Sequence, residues 1–333
     1  MGKDIQHLID RIEVTVKSHQ LGTPGAYCRW LWQDSKESRN LGLNEYGCAD
    51  AANILYTINR FPSDPVERAS WVDVLRSLQN SSSGMYEEPT HFAIHCTAHC
   101  IAALELFDVR PLHSLKELAP LKEKNALHRF LDKLEWRTSP WVNSHKGAGI
   151  YAALVLAGDA DREWQDAYFD WLWEEADPKT GFWRRGCIDS SDSSHIFTHL
   201  AGSFHYLFNH EYARRPLRYP ERMVDSCLQI LHEDTVHLCK GILFSDIDWV
   251  YCLSRSLRQC GYRFAECRRA LIDMADRYVA LLEKIDPDTH DGWNDLHCLF
   301  GALCALAELQ AVLPGELITD RPLRLVLDRR PFI

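Results

Sequence analysis

Histidine and aspartate recur in this 333-residue chain where they could move protons or hold a cation. His95 and His99 stand four residues apart, so a helix through them presents both imidazoles on one face. That is the spacing at which a helix offers two ligands to a metal or two groups to a proton transfer. His91 precedes them in a polar loop with Glu87 and Glu88, and the glutamate that accompanies such a pair in zinc-protease helices is absent. Cys96 and Cys100 fall about 100° further round the helix and read as packing groups.

Asp246 and Asp248, in S-D-I-D-W, are close enough to share a proton, which would raise one pKa into the range of a general acid. With His297, in N-D-L-H-C, they also make a candidate metal set. His195 and His199 repeat the four-residue spacing, and His205 follows. Asp50, His145 and Asp295 sit at comparable helix starts and read as positioning or substrate-binding groups. Trp183, Tyr206, Trp249 and Trp293 could line a wall for a sugar or a carbocation, since aromatic faces serve both. Each aspartate taken alone is equally a helix cap, and for each aromatic taken alone a core position is the better reading.

Helical periodicity dominates, and alternating strand patterns are rare and short, so the chain is expected to be all-α. Six segments rich in Ala, Gly and Cys are apolar nearly all round. They begin near Gly47, Ile94, His145, Thr198, Ser245 and Trp293, at intervals of 47 to 53 residues, close to the period of helical-pair repeats. Between them lie amphipathic helices expected at 4–19, 65–78, 115–134, 162–175, 221–232 and 264–285. Several inner segments follow a turn with a shared signature: Q-N-S-S-S-G-M-Y from Gln79, D-P-K-T-G-F-W from Asp177 and D-P-D-T-H-D-G-W from Asp286. Residues 1–333 read as one domain, with 313–333 as an irregular tail packed outside it.

This alternation and these Gly-aromatic turns resemble the α/α toroid of terpenoid cyclases and protein prenyltransferase β subunits, a barrel that glycan-active enzymes also use. The resemblance implies an (α/α)6 toroid of six inner and six outer helices, with parallel inner helices opening a polar cavity at their N-termini. In the prenyltransferases zinc is held by an Asp and a Cys two residues apart and by a later His. Asp246, Asp248 and His297 are similar in placement, with Asp248 where that family has its thiolate. Class II terpenoid cyclases protonate an alkene through Asp-x-Asp-Asp, of which Asp246-Ile247-Asp248-Trp249 supplies two acids.

A formal charge of -10 and a pI near 5.9 argue against a nucleic-acid or anionic-membrane partner. The N-terminal segment is charged and amphipathic, unlike a secretory signal, and no apolar run approaches the roughly 20 residues of a membrane span. Twelve scattered cysteines without a C-x-x-C pair point to free thiols and a cytoplasmic location. Neither a nucleotide-binding glycine loop nor a Gly-x-Ser-x-Gly elbow is present.

The leading expectation is a cyclase, isomerase or lyase acting by acid-base chemistry on a small, isoprenoid-like molecule. Asp246 or Asp248 would be its acid, and His95, His99, His199 and His297 its proton acceptors or zinc ligands. His91, His145, His205, Asp50, Trp249, Trp293 and Asp295 would bind substrate. The alternatives are a lyase or hydrolase for uronic-acid sugars and a non-catalytic binding toroid.

Overall fold

The computed structural model describes residues 2–35, 38–188, 192–232 and 238–333. Among them the chain is helical apart from one parallel pairing of two-residue strands, β1 (Lys3–Asp4) and β2 (Leu317–Ile318). In chain order the helices are α1 (Gln6–Ser18), α2 (Glu45–Thr57), α3 (Pro65–Ser77), α4 (Ala93–Glu105), α5 (Lys124–Asp132), α6 (Pro140–Ala157) and α7 (Arg162–Glu175). They continue with α8 (Ile196–Tyr212), α9 (Pro220–His232), α10 (Ser245–Cys260), α11 (Phe264–Lys284), α12 (Asp291–Asn294), α13 (Leu296–Val312) and α14 (Val326–Arg329).

Polar residues just outside the helices start many of them. Asn44 accepts from the amides of Tyr46 and Gly47 at the head of α2, Asp161 from Trp164 in α7, and Asp295 from His297 in α13. Asp64 caps α3, whose first residue is Pro65, a position where the missing N–H costs nothing.

Six helices pack successively, α2 on α4, α4 on α6, α6 on α8, α8 on α10, α10 on α13, and α13 again on α2. These are the six segments read from sequence as inner. Helix α2 buries eleven of its thirteen residues, whereas α3, on the outside, buries only Trp71, Val72 and Leu75. The outer helices therefore carry the charge, and the inner ones the small apolar residues that let backbones approach.

The recurrent turns tie each pair to its inner helix. Gly84 (φ 79°) and Gly181 (φ 74°) each donate their amide to the carbonyl four residues back, on Asn80 and Asp177. A side chain at either position would meet backbone within 2.5 Å as well as an unfavourable φ. Two residues on, the amides of Tyr86 and Trp183 donate to Thr97 Oγ1 and Ser203 Oγ, on α4 and α8.

Three expectations change. The helix expected over 115–134 is a 3-10 turn at Ala119–Lys122 followed by the shorter α5, because Pro120 interrupts the amide ladder and the Glu123 carboxylate caps a fresh start. The last inner helix begins at Leu296, since Asp295 ends α12 and caps α13, so Trp293 belongs to the short preceding turn. The segment after residue 312 does not stay outside. Strand β2 pairs with β1, and Arg330, Phe332 and Ile333 are buried, with the Phe332 ring 4.8 Å from that of His95.

Candidate functional site

Histidines at different depths of the packed helices come together, from the first turn of α4 and α13 to the third turn of α8. Two groups have ligating atoms all within 4.8 Å of one another: His95, His145 and His205 from α4, α6 and α8, and Asp50, His99 and His297 from α2, α4 and α13. Tyr46, at the head of α2, lies between them. Its ring stacks on His91 and His99 with centroids 4.5 and 5.0 Å apart, meets His297 edge-on at 4.6 Å, and its hydroxyl is hydrogen-bonded to Nδ1 of His95.

In the first group each ring has company on both sides. The centroid of His145 lies 4.5 Å from that of His95 and 4.6 Å from that of His205. Nδ1 of His205 donates to the Ala201 carbonyl at 3.0 Å, beside Ser144 Oγ at 3.0 Å, which leaves Nε2 with its lone pair. His95 is likewise engaged at Nδ1. Burial, reinforced by neighbouring imidazoles, pushes His95 and His145 well below the ordinary histidine range, and burial takes His205 to about 3. All three are neutral at pH 7, the state in which imidazole binds a cation.

The second group is a carboxylate between two imidazoles. Asp50 Oδ1 lies 2.7 Å from His99 Nε2 and 3.1 Å from His297 Nδ1. Burial would raise its carboxyl, but the imidazoles of His297 and His99 more than offset that and hold it below the usual carboxylate range. His99 itself falls to about 4 through burial, against the pull of Asp50.

A cavity of about 250 Å³ opens on these groups, lined among others by Arg29, His91, His95, His145, His205 and His297, with Asp248 and Phe244. Trp141 and Leu243, on its wall, are 39% and 47% exposed and mark its outer side. Arg29 is held by a two-point ion pair to Asp295 (2.8 and 2.9 Å) and by Thr90 Oγ1 at 2.7 Å. The same Asp295 carboxylate caps α13, so Arg29 and His297 are positioned through one residue. His91 joins from the loop, beside Glu88 and Thr90, and burial lowers it to about 4.

The two acids of α10 divide. Asp248 lines the cavity, and its Oδ1 has no hydrogen-bond partner among the described residues. Burial, then the nearby Asp246, pushes it well above the carboxylate range, which favours its protonated form. Asp246 accepts from the Cys239 amide at 2.7 Å and is raised by burial to about 7.

Asp246, Asp248 and His297 form no three-ligand group among the described residues, because His297 turns its Nδ1 to Asp50. His199 stands apart near Trp183 and Asp177. Trp249 donates to the Cys227 carbonyl on α9, and Trp293 packs under Arg11 of α1, so both serve the outer packing and not the cavity. Tyr46, Arg29, Trp141 and Phe332 were not anticipated. Tyr46 had a signal, the Asn44 cap that starts its helix two residues earlier.

Compared with models of known protein families, with curated proteins and with solved structures, the chain has no significant match. No helix among the described residues is long and apolar enough to cross a membrane.

Proposed function

We propose that the chain is an (α/α)6 toroid enzyme that carries out metal-assisted acid-base chemistry on a small polar substrate in its central cavity. The observation that carries this reading is the convergence of three neutral imidazoles, His95, His145 and His205, two of them fixed from behind by Tyr46 and by Ala201 with Ser144. Back-side hydrogen bonds of this kind orient metal-ligating histidines. Three nitrogen ligands and a cavity beside them suit zinc with an open position, where a cation lowers the pKa of bound water and polarises a carbonyl.

Around that centre His297, oriented by ionised Asp50, is the proton acceptor, and Asp248, kept protonated by its buried setting, is the donor. The cavity is below the usual volume for a drug-sized ligand; ionisable side chains stand around it, but most of the surface it presents is apolar. Arg29 and the imidazoles suit a hydroxylated or carboxylated molecule, as in a sugar lyase or hydrolase, while the apolar surface between them suits an isoprenoid. A protonated Asp248 beside Phe244 and Trp141 supports a cyclase as the second reading. The twelve cysteines are all free thiols, which supports a cytoplasmic setting.

The test is elemental analysis of protein purified without chelator, with His145→Ala and His205→Ala alongside. About one zinc per chain, lost in both folded variants, is expected. Folded wild type that neither retains metal nor takes up added zinc would exclude the centre. Turnover of uronate-containing oligosaccharides by wild type but not by Asp248→Asn would then separate the sugar reading from the cyclase one.

A further inference from the structure

Among the described residues, buried arginines are paired, with one exception. Arg255 meets Glu308 through two contacts of 2.6 Å and Asp328 through a third, and Arg29 is held by Asp295. Arg330 is fully buried, yet Nε, Nη1 and Nη2 all lack a hydrogen-bond partner among the described residues. It lies 5.2 Å over the Phe300 ring, with Cys304 and Asp50 as its nearest ionisable neighbours. Asp50 is already shared by two imidazoles and makes no ion pair with it. Burial lowers the guanidinium only to about 10, so it stays charged at neutral pH.

Buried polar groups on α2 and α4 also lack partners. Asn53 follows Asp50 by three residues, one turn deeper on the same face of α2, and both ends of its amide are unpartnered, as is Nδ1 of His99. An arginine contributes five N–H donors and an asparagine amide two, against one asparagine oxygen and one imidazole lone pair as acceptors. A buried charge with unmet donors costs far more than one with a partner of opposite sign.

We propose that Arg330 binds a small inorganic anion of chloride size, with the Asn53 amide as a second donor, and that this anion anchors the C-terminal segment inside the ring. Arg330 does not line the cavity, and none of His95, His145 and His205 takes part in the anion site.

Bromide serves as the probe. Crystals grown in bromide should show an anomalous peak within hydrogen-bond reach of the Arg330 guanidinium. The melting temperature of wild type should rise by a few degrees when bromide replaces gluconate at fixed ionic strength, and the rise should vanish in Arg330→Met. Ordered water without anomalous signal at Arg330 would overturn the proposal, as would a bromide response that survives in the folded variant. Should the variant fail to fold, the anomalous peak in wild type decides alone.

Discussion

His297 Nδ1 lies 3.1 Å from Asp50 Oδ1, although 247 residues separate the two in the chain. The carboxylate fixes which ring nitrogen carries the proton and leaves Nε2 free to act in the cavity. Asp50→Asn keeps size and removes charge, so turnover should fall on the order of 10²–10⁴-fold with metal content unchanged. A variant with wild-type kcat and pH profile would remove His297 from the mechanism.

Tyr46 bonds the back of His95 and touches the cavity histidines through its ring face. Tyr46→Phe retains the stacking and loses only the hydroxyl. Zinc affinity, measured by competition with a chromogenic chelator, should weaken by about 10–100-fold, the usual effect of deleting such a support. An unchanged affinity would show that the hydroxyl does not orient a ligand.

Acid should unfold the metal-free protein early. Burial holds His19, His91, His95, His99, His145, His199, His205 and His210 below their ordinary range, so the unfolded chain takes up their protons first. Their contribution is present above about pH 6.5 and is lost as pH falls towards 4. Asp246 and Asp248 act in the opposite sense over part of that window. Eight groups against two leave a net loss on the order of 8 kcal/mol per pH unit, which exhausts ordinary domain stability within one or two units. Circular dichroism should place the transition near about pH 5, and a native spectrum at pH 4 would contradict the neutral-histidine core.

Asp246 gives the converse test. Its folded pKa of about 7 lies above the ordinary carboxyl value of 3.8, so its stabilising effect is complete below pH 3.8 and is lost as pH rises through 7. Asp246→Asn keeps an oxygen for the Cys239 amide and cannot ionise. At pH 8 the variant should melt higher than wild type, by the equivalent of a few kcal/mol, and at pH 4 the two should converge. Equal melting temperatures at both values would refute the raised pKa.

Much of this was legible from residue spacing. The roughly fifty-residue period located the six successive packed helices, and the four-residue spacing of His95 and His99 put both on one face, where the structure sets them against His145 and Asp50. Direction around each inner helix was not legible, because a helix buried on all sides carries no amphipathic stripe to say which face looks inward. Trp249 illustrates this, since its indole donates to the Cys227 carbonyl on α9, while Trp293 falls in α12, before the last inner helix begins, and lies under Arg11. Arg29 lies in a loop with no periodicity, and it is positioned by distant partners, Asp295, 266 residues away, and Thr90, 61 away. Nor does the polar, charged stretch after residue 312 announce that Phe332 ends against His95.

The packing of α13 on α2 has a consequence for biosynthesis. Arg29 with Asp295, and Asp50 with His297, each join the first and last inner segments. These are the most non-local contacts the cavity has, and such contacts form late because a long loop must close before they yield anything. On the ribosome the nascent chain can present His95, His145 and His205 to one another well before α13 emerges. Under the proposed function, ligand capture would precede proton transfer, because His95, His145 and His205 can meet before His297 reaches Asp50.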